Sequence, residues 1–235
     1  MAIAAFKDLC MDATEALTLG RFWATILGGE LVDLGDKSVR VDRGAPGPES
    51  IWIDPVPEPR TVKTRVHLDV RLPEADPAPL LAAGATLVRP PGGDIAWWLM
   101  ADPDGNEFCA FNPREGAGPG VVELVVDAAD PGAQAAWWAS VTGGEAGSKE
   151  GMPYRWVTGA AGFPWAYWVF NTVPETKQVK NRVHWDVDLL GADTPDALVA
   201  AGARILREPD DAIQWWIMAD PEGNEFCAFP PDKEA

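Results

Sequence analysis

The chain has 235 residues, 47% apolar and 23% charged, the composition of a globular protein long enough for one large domain or two small ones. Its 19 basic and 36 acidic residues leave a formal net charge of −17, a field that repels nucleic acid and anionic membrane surfaces. Three cysteines, Cys10, Cys109 and Cys227, are too few and odd in number for a secreted disulfide framework. With no signal-peptide pattern at the N-terminus and no run of about 18 apolar residues, they predict a cytoplasmic protein.

In chain order, Ala5–Met11 reads as a short strand. Asp12 follows as the expected N-cap of a helix running through Ile26 and ended by Gly28-Gly29. Strands are expected at Leu31–Leu34, Ser38–Val41 and Ser50–Ile53. Thr64–Val70 alternates as another strand, and Ala78–Ala83 continues as a helix closed by Gly84. Ile95–Met100 and Glu107–Phe111 form a hairpin across a turn rich in Asp, Pro and Gly. The series then starts again. MADPDGNEFCAF at 100–111 recurs as MADPEGNEFCAF at 218–229, RVHLDV at 65–70 as RVHWDV at 182–187, and RFWATILGGE at 21–30 as AWWASVTGGE at 136–145. The chain is a duplication with domains at 1–114 and 119–235, joined by the Pro/Gly-rich stretch around Asn112–Gly120. Each copy holds two βαβββ modules, which makes the fold class α+β.

The combination of VHLDV, AAGAT and ADPDGNEFCAF resembles the glyoxalase/bleomycin-resistance/dioxygenase superfamily, the vicinal oxygen chelate proteins, over nearly the whole chain and twice. That resemblance implies two tandem glyoxalase-like domains, each of two βαβββ modules whose curved sheets enclose a cleft, often with a divalent metal on its floor. Carried onto this sequence, the metal positions fall at Asp8, His67 and Glu107 in the first copy and at Glu123, His184 and Glu225 in the second. Carboxylates at Asp8 and Glu123 stand where the family usually has His or Gln. Asp54 and Asn171 mark the remaining position on the fourth strand of their modules.

Residues two apart in a strand share a face, so Asp8 pairs with Cys10, His67 with Asp69, His184 with Asp186 and Glu107 with Cys109. If the modules of one copy meet, a single cleft gathers one imidazole, several carboxylates and two thiols. Such a set suits Fe(II), Mn(II), Co(II), Ni(II) or Zn(II) acting on adjacent oxygens of a substrate, with Glu107 or Glu225 free to move a proton. The same residues can also form a metal-free polar cleft. Of the 12 tryptophans, Trp23 and Trp138 lie at helical core spacing, whereas Trp97, Trp98, Trp215 and Trp216, with Asp69 and Asp186, are candidate ligand-binding residues. Two functions follow from this reading. One is a metal-dependent isomerase, lyase or dioxygenase acting on a small oxygen-rich molecule. The other is a metal-free protein that sequesters an aromatic ligand, like the bleomycin-resistance branch. No phosphate loop or dinucleotide fingerprint is present, so no nucleotide cofactor is expected. The expected partner is a small molecule. Neither nucleic acid nor membrane is indicated, and the tandem copies predict a monomer that closes its clefts within one chain.

Overall fold

A computed structural model of the chain describes residues 1–191 and 194–231, so the last four residues of the second copy lie outside the described region. The first module runs β1 (Ala4–Ala13), α1 (Ala16–Leu27), β2 (Glu30–Asp33), β3 (Val39–Asp42) and β4 (Ile51–Pro55). The second runs β5 (Val66–Arg71), α2 (Ala78–Ala82), β6 (Thr86–Arg89), β7 (Trp98–Ala101) and β8 (Glu107–Phe111). The second copy repeats the plan with β9 (Gly120–Ala128), α3 (Pro131–Thr142), β10 (Glu145–Gly147), β11 (Tyr154–Thr158) and β12 (Tyr167–Thr172). It ends with β13 (Val183–Leu189), α4 (Asp196–Ala200), β14 (Arg204–Arg207), β15 (Trp216–Ala219) and β16 (Glu225–Phe229). Strand β6 adds to the expected set. All four of its residues are exposed at a sheet edge, so it carries no alternation of apolar and polar positions to read.

Among the described residues, sixteen strands form two eight-stranded mixed sheets, ordered β14-β15-β16-β13-β1-β4-β3-β2 and β10-β11-β12-β9-β5-β8-β7-β6. The sheets do not follow the repeat boundary. At the centre of one, β1 of the first copy pairs antiparallel with β13 of the second; at the centre of the other, β5 pairs with β9. Each module is a half-sheet whose leading strand has one open edge, and each edge is closed by a module from the other copy. The helices tie the sheets together. Trp23 on α1 meets Phe108 of the opposite sheet at 5.4 Å between ring centroids, and Trp138 on α3 meets Trp185 and Phe226 at 5.1 and 5.2 Å. One continuous apolar core therefore spans both copies.

The helix start differs from the expectation. Asp12 belongs to β1 and forms an ion pair with Lys180, and α1 begins only at Ala16. Its approach is held by Asp104, whose carboxylate accepts from the Thr14 N–H and hydroxyl. Gly28 closes α1 in the left-handed conformation, φ 64°, as the sequence predicts. Among the described residues no helix is long and apolar enough to cross a membrane.

Candidate functional site

The exchange of modules decides which residues meet. At the middle of the first sheet, Cys10 lies opposite His184, Asp8 opposite Asp186, and Asp186 in turn beside Cys227. Residues facing each other across paired strands project from the same side, so one surface collects Asp8, Cys10, His184, Asp186 and Cys227. Donor atoms of Cys10, His184 and Asp186 lie within 4.8 Å of one another, and Cys227 Sγ is 3.8 Å from His184 Nε2. In the second sheet, Asp69 lies opposite Glu123 and beside Cys109. His67, Asp69 and Cys109 bring their donor atoms within 4.8 Å, with His67 Nε2 3.4 Å from Asp69 Oδ1.

Two expectations are corrected. A cleft built within one copy would pair Asp8 with His67, but Asp8 joins His184, and Glu123 of the second copy joins His67, because β1 pairs with β13 and β5 with β9. Strands β8 and β16 deliver their thiols, not their glutamates, to the imidazoles. Glu107 accepts from Arg60 Nη1 at 2.9 Å and from the Thr64 N–H at 3.0 Å; Glu225 accepts from Lys177 Nζ at 2.6 Å and the Asn181 N–H at 3.1 Å. These glutamates anchor the linkers to β8 and β16, and neither belongs to a donor cluster. Burial raises the pKa of Glu107, but the Thr64 N–H and Arg60 outweigh it and hold the carboxyl below the usual range.

The ligand-binding candidates divide. Register places Leu99 beside Cys109 and Ile217 beside Cys227, so Trp97 and Trp215 take the centre-facing side, resting on Phe111 and Phe229 at 5.6 and 5.1 Å. Trp98 and Trp216 turn the other way and pack against the core. Asp54 is exposed at the end of β4, opposite Asp12, and Asn171 is half-buried opposite Asp127. Sequence reasoning passes over Lys7, Trp52 and Arg40. Lys7 Nζ lies 2.6 Å from Asp8 Oδ2, Trp52 Nε1 donates to the same oxygen at 3.0 Å, and the Arg40 guanidinium lies 4.9 Å from the Trp52 ring.

Burial pushes the pKa of both His67 and His184 down to about 4, helped by Lys63 and Lys180 respectively, so both imidazoles are neutral at neutral pH. Asp69 and Glu123 are both pushed up, first by burial, and Asp69 also by the neighbouring Glu123 charge. They lie opposite each other across β5 and β9, so each carboxyl disfavours the charge on its neighbour. Asp186 is also raised by burial and by Asp8, while Lys7 works in the opposite direction. All three thiols are pushed up, chiefly by burial, and stay protonated unless a cation binds them.

The centres differ in their thiols: Cys10 and Cys227 both flank His184, whereas Cys109 alone flanks His67, and Asp8 Oδ1 is buried without a hydrogen-bond partner. Neutral imidazole, carboxylate and one or two thiols form a borderline-soft donor set. It fits Zn(II), Co(II), Ni(II) or Fe(II) better than Mn(II). A cavity of about 300 Å³, lined in part by Lys7, Asp8, Arg40 and Trp52, opens beside the His184 centre. A cavity of about 800 Å³ lies elsewhere, between the linkers at 56–65 and 175–182, and no donor of either centre lines it.

The comparisons agree with this architecture. Glyoxalase I from Zea mays superposes with a TM-score of 0.65 at 14% identity, over 96% of this chain and 92% of that one. A point mutant of the same maize protein gives 0.68 at 13%, over 96% and 93%. A proposed dioxygenase from Bacillus subtilis gives 0.60 at 15%, over 97% of this chain and 86% of that one. At such identities the likeness is one of fold. No curated protein sequence matches the chain. The family model for the glyoxalase-like domain matches residues 8–111 and again 123–229, reaching from Asp8 through Phe111 and from Glu123 through Phe229. With each stretch carrying strands from both centres, the chain belongs to the glyoxalase-like domain family as a tandem pair.

Proposed function

We propose that the protein is a divalent-metal-dependent enzyme acting on a small oxygen-rich molecule at the His184 centre, in isomerase, lyase or dioxygenase chemistry. The observation that carries this reading is the gathering of Cys10, His184 and Asp186 donor atoms within 4.8 Å of one another, with Cys227 Sγ 3.8 Å from His184 Nε2 as a second thiol. A buried carboxylate oxygen without a partner, as Asp8 Oδ1 is, costs about 1–3 kcal/mol, a penalty that a bound cation removes. Cys10, His184 and Asp186 would hold the ion, with Cys227 and Asp8 within reach. When bound, it supplies Lewis acidity toward adjacent oxygens of the substrate. Asp8, which accepts from Trp52 Nε1 at 3.0 Å, stands where it can accept or return a proton, and Trp215 on Phe229 walls the site with aromatic surface. The likeness to maize glyoxalase I makes isomerisation of an oxygen-rich adduct the first activity to assay.

The metal-free reading is favoured at the His67 centre alone. There Val125 stands opposite His67 where Cys10 stands opposite His184, which leaves that centre with the single thiol of Cys109. Elemental analysis after loading with Zn(II), Co(II), Ni(II), Fe(II) or Mn(II) tests both. About one ion per chain, lost in His184→Ala and kept in His67→Ala, is the expected result. Failure to retain any ion refutes the proposed function, and a loss confined to His67→Ala reverses the assignment of the two centres.

A further inference from the structure

Strict alternation along β1 would put Asp8 and Cys10 on one face and Lys7 on the other. The pairing with β13 breaks that alternation: Phe6 lies opposite Val187 and Asp8 opposite Asp186, which leaves Lys7 as the extra residue of a β-bulge. Bulges re-aim side chains. Here the ammonium lands 2.6 Å from Asp8 Oδ2, 4.5 Å from the Phe229 ring centroid and 5.9 Å from that of Trp52. It sits among the carboxylates of Asp8, Asp186 and Asp188, whose charges hold it protonated against the pull of burial.

The other centre makes the point by contrast. Its β9 carries the same bulge between the pairs Asp69–Glu123 and Val70–Val121, and the extra residue there is Val122. Both sheets thus bring two carboxyl groups face to face in a buried place. Beside one pair the bulge places the apolar Val122, and beside the other it places an ammonium. An ammonium beside Asp8 stands in the region where a metal held by Cys10, His184 and Asp186 would also sit, and two cations cannot share that region without repulsion. Lys7 also borders the cavity of about 300 Å³, and its side chain is 29% exposed, so it has somewhere to go.

We infer that Lys7 is a resident counter-cation of the His184 centre: a metal displaces it, and once displaced it becomes the anchor for an anionic group of a small ligand in the adjacent cavity. This rests on the metal-dependent reading above and adds to it an order of binding, metal before ligand, and a ligand class, a small carboxylate or similarly charged oxygen compound. The variant Lys7→Met separates the two roles because it moves two affinities in opposite directions. Calorimetric titration at mildly alkaline pH with Zn(II), then with oxalate on the Zn(II)-loaded protein, measures both. Lys7→Met should bind Zn(II) about fivefold tighter, having lost its internal competitor, and oxalate about tenfold more weakly, while Lys7→Arg should restore oxalate binding. Near-UV circular dichroism shows whether the variants keep the native packing. Zn(II) binding that is unchanged or weaker in Lys7→Met overturns the inference, as does oxalate binding indifferent to residue 7. Absence of Zn(II) binding by the unaltered protein overturns the proposed function itself, and this inference with it.

Discussion

Trp23 and Trp138 occupy equivalent helical positions in the two copies, are 2% and 0% exposed, and differ in one respect that sets their energetics apart. Trp138 Nε1 donates to Asp220 Oδ2 at 3.3 Å, an oxygen that also accepts from Gln134 and Asn224, whereas Trp23 Nε1 is buried with no partner. Trp→Phe at either position leaves a comparable void, worth about 2 kcal/mol for a partly collapsing core site. Trp138→Phe additionally removes a hydrogen bond to a buried carboxyl, about 1.5–3 kcal/mol. Its indole also touches the rings of Trp137, Trp168, Trp185 and Phe226, against Phe22 and Phe108 for Trp23. Trp138→Phe should therefore destabilise by about 4 kcal/mol and Trp23→Phe by about 2 kcal/mol. Urea unfolding followed by far-UV circular dichroism reads the difference with both variants at equal protein concentration. Costs equal within about 0.5 kcal/mol would refute the idea that the indole N–H, and not ring volume, separates the two sites.

Gly162→Ala should cost several kcal/mol in the same assay, since Gly162 has φ +73° and a Cβ there would overlap the carbonyl oxygen of Phe6; an effect below about 1 kcal/mol would show that the loop can retreat from β1. Burial raises Asp102 to about 6 despite its bonds from Asn106, so the folded state binds more protons than the unfolded one between about pH 4 and 6 and stability falls as pH rises through that window. Asp102→Asn should flatten that descent, which amounts to about 3 kcal/mol, in chemical unfolding curves measured across the window. Residues 1–114 alone leave β1 and β5 without their partners β13 and β9, so they should appear in sedimentation velocity as an unfolded chain or a dimer; a folded monomer would contradict the exchanged sheets. Val125→Cys, which supplies the His67 centre with the thiol that Cys10 gives the other, should raise Zn(II) capacity toward two per chain, and unchanged stoichiometry would show that the thiol is not what distinguishes the centres.

Much of the fold is legible in the sequence because its signals are local or repeated. Gly28 marks the end of α1, the 218–229 segment repeats the hairpin strand at 100–111, and the βαβββ order can be read from two copies at once. The partnership of the half-sheets is not legible. Strands β1, β5, β9 and β13 all offer an antiparallel edge, and nothing in Ala4–Ala13 says that Val183–Leu189 fits it better than Val66–Arg71. That choice is made by the linkers and by Trp23 and Trp138, which fix each module against the other sheet of its own copy. The candidate site shows the same division. His67, His184, Asp69 and Asp186 are readable as chemistry-bearing positions, and two-residue spacing already links Glu107 to Cys109. Whether the glutamate or the thiol reaches the imidazole depends on Arg60 and the Thr64 N–H, which lie far from Glu107 in sequence. Lys7 is hidden more deeply, since a bulge contradicts the alternation by which a strand is read.

Duplication gives two centres with the same skeleton, and the differences between them fall on strand positions in register. Opposite the imidazole that both copies carry stands Cys10 in one and Val125 in the other; beside these stand Trp52 and Val169; at the bulge stand Lys7 and Val122. Each valine removes a polar or aromatic group from one centre without disturbing the strand that carries it, because a β-branched residue suits a pleated, half-buried surface. The three exchanges are coherent. Without Lys7 the facing carboxyls have no ammonium beside them, and without the thiol opposite the imidazole there is less to draw a metal. The His184 centre thus has an ammonium and a second thiol beside it, and the His67 centre has neither. The strand pairing joins the two across the copies, since β1 and β5 lie in one copy and β9 and β13 in the other. Neither copy could lose its half of a centre without exposing the edge that the other copy needs.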